Sequence, residues 1–151
     1  MPPLGDARAA RFRYPGARRT RLSSGVPVVL VQRRDLPLVA LQLVIRGGAG
    51  LDPRRSPGLA YMTGALVDEG AGRSSALQLA GRMQHVGSSL LTLVDGDTTT
   101  FAFQVLREHL ARGLDVLADV LLRPWLRDAE LQRLRGEVAQ RALAQRARAG
   151  E

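Results

Sequence analysis

The stretch SSLLTLVDGDTTTFAFQV, residues 88–105, decides the fold. Two strand-like runs, 88–94 and 98–105, flank Asp95-Gly96-Asp97. Asp-Gly between such runs is the strongest short-range hairpin signal, because the turn needs a positive φ that glycine adopts without strain. Thr98-Thr99-Thr100-Phe101 has the β-branched and aromatic content of a strand. An antiparallel pair is therefore expected at the centre of the chain.

Reading outward toward the N-terminus, Leu77, Ala80 and Met83 recur at helical spacing behind Ser74 or Ser75, and Gly87 ends that run. Before it, Ser56-Pro57 reads as an N-cap followed by proline at the first helical position. Leu59, Met62 and Leu66 carry the helix to about Asp68, and Gly70 and Gly72 close it. Residues 38–46 are nearly all apolar and predict a strand covered on both faces. Residues 26–32 predict a shorter strand, with Pro27 at its edge. Residues 1–21 read as a flexible arm rich in arginine.

Toward the C-terminus, Leu106, Leu110, Leu114, Leu117 and Leu121 mark one face of an amphipathic helix that Pro124 ends. Asp128 opens a last helix lined by Leu131, Leu134, Val138 and Ala142. The order is ββααββαα, which predicts an α+β two-layer sandwich: a mostly antiparallel sheet with helices on one face. The ββαα unit occurs twice without a sequence repeat behind it. One domain, residues 22–148, is expected behind the arm.

The charge follows this division. The 151 residues include 22 basic side chains, all arginine, and 14 acids, a net +8. Residues 1–34 hold eight of the arginines and one acid; the remainder is nearly neutral. The basic character is an arm on a neutral body, and this argues against a nucleic-acid-binding domain. No cysteine is present, which excludes a disulfide scaffold, a Cys-based zinc site and a thiol nucleophile. No apolar run approaches the ~18 residues of a membrane span. The compartment stays open: cytoplasmic if the chain begins at its natural N-terminus, periplasmic if it has been trimmed.

Most chemistry-bearing residues have plain structural readings. His85 and His109 lie on different helices with no partner at metal-binding spacing. Asp68 and Glu69 are adjacent and point different ways on a helix end. Asp95 and Asp97 are turn formers. Gly47-Gly48-Ala49-Gly50 matches neither phosphate-loop nor dinucleotide spacing and reads as a turn. Arg18, Arg19 and Arg21 could contact an anion, although little aromatic interleaving accompanies them.

Four pieces, in order, resemble the N-terminal domain of the insulinase/pitrilysin-type metallopeptidases, the family of the mitochondrial processing peptidases. Leu22-Ser23-Ser24-Gly25-Val26 is similar to the opening "L-x-N-G" strand. Ile45 to Pro53, followed by Pro57-Gly58-Leu59-Ala60, resembles the run into the first helix. Gly87 to Phe101 resembles the "G-A…D-x-T-x-Y" hairpin, and Leu114 to Pro124 the helix after it. The resemblance spans roughly residues 20–145 and implies the processing-peptidase type of fold.

Active members carry H-x-x-E-H directly after G-L-A, two zinc-binding histidines with a general base between them. Here the first histidine position is Tyr61, the glutamate Gly64 and the second histidine Ala65. The third ligand is a glutamate on a later helix; anchoring on Val138 places it at Arg141, a fixed cation. The resemblance therefore implies an inactive member, not an enzyme, with no catalytic and no metal residues of its own. No cofactor is expected, zinc belonging only to an active partner.

The implied role is a structural or peptide-docking subunit or domain beside a homologous active peptidase. Leu90, Leu91, Thr92 and Leu93 are the implied peptide-docking residues. A Tyr61–Arg141 contact would fill the vestigial site. Two alternatives stand: an anion- or nucleic-acid-binding module using the arginine arm, and an active zinc peptidase with relocated ligands.

Overall fold

The computed structural model describes residues 15–149. In chain order it places β1 (Ala17–Arg21), β2 (Pro27–Val31), β3 (Leu38–Arg46), α1 (Leu59–Leu66), β4 (Gly70–Ala71), β5 (Ser74–Ser75), α2 (Ala76–Gln84), β6 (Leu91–Val94), β7 (Thr98–Leu106), α3 (Leu110–Leu122) and α4 (Asp128–Ala149). The fold is α+β with antiparallel sheets, as the hairpin stretch predicts. Two additions interrupt the expected ββααββαα order: β1, and the two-residue ribbon β4–β5 between α1 and α2. No described helix is long and apolar enough to cross a membrane.

The chain divides into two compact units, with the boundary between Pro37 and Leu38. The first holds the hairpin β1–β2, in which Arg18 pairs with Leu30 and Arg19 with Val29. The arm expected over residues 1–21 is thus corrected from Ala17 onward, where the chain is a strand. The apolar residues of β2, among them the β-branched Val29 opposite Arg19, supply the cross-strand partners of this ladder. Residues 1–14 of that expectation lie outside the described residues.

The second unit is built on the sheet β3-β7-β6. Strands β3 and β7 pair over nine positions, from Leu38–Leu106 to Arg46–Thr98, and β6 adds antiparallel at the far edge of β7. Phe101, Phe103 and Val105 turn inward and are buried, with Leu41 and Leu43 beside them. The opposite face is open: Leu38, Val44, Leu91 and Leu93 are all exposed. The expectation that residues 38–46 are covered on both faces is therefore corrected. A run of apolar residues states that a strand can be buried on two sides; it does not supply the second layer.

The inner face packs against α2 and α3 through Leu79, Met83, Val116, Leu117 and Val120. On α3 the buried side is Gly113, Val116, Leu117 and Val120, and Leu114 is exposed. The leucine stripe expected from Leu106 onward is offset because Leu106 still belongs to β7 and residues 107–109 form a 3-10 turn before α3. Gly113 is required where it stands: a Cβ there would lie 2.6 Å from the Phe103 ring. Helix α2 begins as read, on a capping box in which Ser75 and Gln78 satisfy each other's backbone N–H.

Candidate functional site

Helix α1 carries the positions where the resemblance puts the metal ligands and base. Its expected cap fails. Gly58, at a φ of 87°, precedes the helix and Ser56 makes no capping bond. The cap comes from a residue that the sequence reading missed. The Asp52 carboxylate accepts hydrogen bonds from Gly58 N at 2.7 Å and Ala60 N at 2.9 Å. A carboxylate at the helix N-terminus also matches the helix dipole. The signal lay in the sequence as an aspartate just upstream of Ser-Pro-Gly.

From that anchor α1 runs between β6 and α4. Gly64 is buried against β6: a Cβ added there would lie 2.5 Å from Val94 Cγ2 and 3.5 Å from Thr92 Cγ2. Ala65 is half-buried and Tyr61 is 44% exposed. The Thr92 hydroxyl is buried without a hydrogen-bond partner among the described residues. Thr92 sits opposite Phe101 in the ladder and so faces inward, whereas Leu91 and Leu93 face the open side. Leu90 precedes β6 and packs on the core. The four residues implied for peptide docking thus divide between two faces, on a strand whose outer edge is unpaired within the sheet.

Helix α4 is tied to the end of α1 by charge. Arg133 reaches Glu69 at 2.5 Å, Glu130 at 2.8 Å and Glu137 at 2.6 Å. The three carboxylates hold the guanidinium pKa above its ordinary value. Arg141 lies two turns further on, is 67% exposed in its side chain and reaches Glu137 at 3.5 Å. The Tyr61–Arg141 contact is not among the ring–cation pairs of the described residues; Arg127 over Trp125, at 3.9 Å, is. A solvated arginine beside Glu137 has an acidic partner on its own helix and no need of the phenol ring.

These side chains do not suit zinc. Tyr61, Gly64, Ala65 and Arg141 offer a phenol, two positions without donors and a cation, against the three His or carboxylate donors that a catalytic zinc requires. No three His, Asp or Glu side chains converge among the described residues. His85 caps the end of α2, and His109 lies 3.7 Å from Glu108.

The glycine loop after β3 is spent on packing. Gly47, Ala49 and Gly50 donate their N–H groups to the carbonyls of Asp97, Asp95 and Gly96 at 2.7–3.0 Å. A Cβ on Gly48 would stand 2.3 Å from the Asp95 carbonyl oxygen. A phosphate loop needs those N–H groups free. Asp95 orders the turn, accepting from Asp97 N at 2.8 Å and from Thr98 N at 2.6 Å. These bonds hold its carboxyl below the usual range.

A second cluster joins α2, α3 and the β4–β5 ribbon. The Asp119 carboxylate is buried and accepts from Arg82 at 2.7 Å and from Arg123. Arg82, then Arg123, lower its pKa against the opposing effect of burial. Gly72, at a φ of 56°, lies so close that a Cβ would meet the carboxylate at 2.8 Å. Trp125 Nε1 donates to Gly72 O at 3.0 Å. This cluster fastens the end of α3.

The architecture is an α+β domain in which α1 packs against β6, the edge strand of an antiparallel sheet. The family described as Insulinase (Peptidase family M16) matches residues 28–149, and the chain belongs to that family. Among curated proteins it is similar to the mitochondrial-processing peptidase subunit beta of Homo sapiens, 25% identical over 124 residues, covering 82% of this chain and 25% of that protein. The bovine counterpart, from Bos taurus, is 24% identical over the same length. The chain spans about a quarter of the length of these relatives. In fold it resembles a crystal structure of a peptidase M16 inactive domain from Pseudomonas fluorescens. The TM-score is 0.76 at 22% identity, covering 81% of this chain and 30% of the other.

Proposed function

We propose that this chain is a non-catalytic member of its family, acting as a structural or peptide-docking element beside a homologous active subunit or domain. One observation carries the reading. Gly64, the position matched to the general base, is packed so closely onto Thr92 and Val94 that any side chain there would displace Val94. The residue types at Tyr61, Ala65 and Arg141 support it, and so does the likeness to a domain described as inactive. Zinc belongs to the partner, and no cofactor is needed here.

Docking would use the outer edge of β6. An extended peptide pairing with an edge strand gains backbone hydrogen bonds, and its alternate side chains would meet Leu91 and Leu93 on the open face. The anion-binding alternative loses ground because Arg18 and Arg19 alternate across the ribbon β1–β2. Arg21 donates to the Gly25 carbonyl at 2.9 Å. The test is an amide-shift titration of the isotopically labelled chain with unstructured peptides, followed by mass spectrometry. With peptides that lack lysine and arginine, shifts confined to residues 90–94 and intact peptide are expected. Cleaved peptide, or shifts in β1 alone, would contradict the reading.

A further inference from the structure

A pocket of about 270 Å3 opens between the end of α1, α2, α3 and residues 88–90. Leu79 and Met83, each 3% exposed or less, lie at its floor, and Ala76, Ala80 and Leu90 are the more open apolar residues of its lining. Asp68 and Glu69 supply the acids in its lining. They are not equivalent: Glu69 is neutralised by Arg133 at 2.5 Å, whereas no cation pairs with Asp68 among the described residues. Burial pushes the Asp68 carboxyl up from its ordinary 3.8. A half-buried carboxylate without a counter-charge is disfavoured as the anion, and a bound cation would relieve it.

The volume decides what class of ligand fits. Small-molecule sites commonly occupy ~300–1,000 Å3, so this pocket suits one long side chain better than a whole metabolite. An apolar wall beside one unpaired acid matches a side chain with a methylene stem and a charged head. We propose that the pocket binds the basic side chain of a partner peptide, a lysine or arginine whose stem lies along Ala76, Ala80 and Leu90, over Leu79 and Met83, and whose cation meets Asp68. This site lies on the helix side of the sheet and does not rest on the reading of the β6 edge.

The test uses the full chain with labelled methyl groups on Met83 and Leu79. It is titrated with the blocked amides of lysine and arginine, and with the norleucine amide as neutral isostere. Saturable shifts of both methyls with the two cations are expected, and about tenfold weaker binding of norleucine, as for loss of one charge-assisted bond. Asp68→Asn should erase that preference, and Ala80→Phe, which narrows the pocket, should remove the shifts. Absence of saturable shifts with either cation would overturn the proposal, as would equal binding of norleucine. If Asp68→Asn does not fold, the comparison of lysine with norleucine on the unaltered chain still decides.

Discussion

A methyl group on Gly64 would stand 2.5 Å from Cγ2 of Val94, so α1 and β6 meet more closely than an alanine here permits without displacing Val94. Two effects oppose each other at this position. Alanine in place of a helical glycine gains about 1 kcal/mol of helix propensity, whereas overpacking a tight contact costs ~1–3 kcal/mol. Gly64→Ala is expected to be net destabilising by roughly 1 kcal/mol in a denaturant melt. Gly81, inside α2, has nothing within 4 Å of an added Cβ. Gly81→Ala should raise stability by about 0.5–1 kcal/mol. Equal effects at the two glycines would contradict the packing described.

Asp119 gives acid sensitivity. Its pKa is lowered in the folded chain by Arg82 and Arg123. The stabilisation is therefore fully present above the ordinary 3.8 and is lost as pH falls through the lower folded value. Asp119→Asn should cost about 1–3 kcal/mol at neutral pH. Its loss relative to the unaltered chain should shrink toward pH 2–3. Thermal melts across pH 2–7 read this directly, and a pH-independent difference would refute it.

Asp68 should behave with the opposite sign. Burial raises its pKa from 3.8, so the folded chain holds a proton more tightly than the unfolded one. Stability then declines as pH rises from 3.8 through the raised value. Asp68→Asn is expected to stabilise at pH 7 and to have no such effect at pH 3. A destabilised variant at pH 7 would show that the carboxylate has a partner which compensates its burial.

Gly70, at a φ of 149°, lies against Trp125, where a Cβ would come within 2.3 Å of the ring. Trp125 is the single tryptophan, so the emission comes from this ring alone. Gly70→Ala should cost about 1–3 kcal/mol through overpacking and backbone strain. It should also shift the emission to longer wavelength as the ring gains solvent. An unchanged spectrum and melt would contradict it.

The sequence carried the sheet well because its turn chemistry is local: Asp95-Gly96-Asp97 fixes β6 and β7 without reference to the rest of the chain. Residues whose role depends on distant partners were harder to read. Asp52 caps α1 from six and eight positions away. Asp119 meets Arg82 across 37 positions. The apolar run 38–46 was legible as a strand, yet its periodicity contains nothing about which face is covered. The four positions Tyr61, Gly64, Ala65 and Arg141 could be found only through the family resemblance. That Gly64 is wedged against β6 required the coordinates.

Under the proposed function this chain does not catalyse peptide hydrolysis. The most direct measurement is zinc content by mass spectrometry after equilibration with zinc and desalting, paired with a peptide-hydrolysis assay on the same sample. Well under one equivalent of retained zinc and no cleavage are expected. One tightly held equivalent, with peptide hydrolysis that a chelator abolishes, would contradict it.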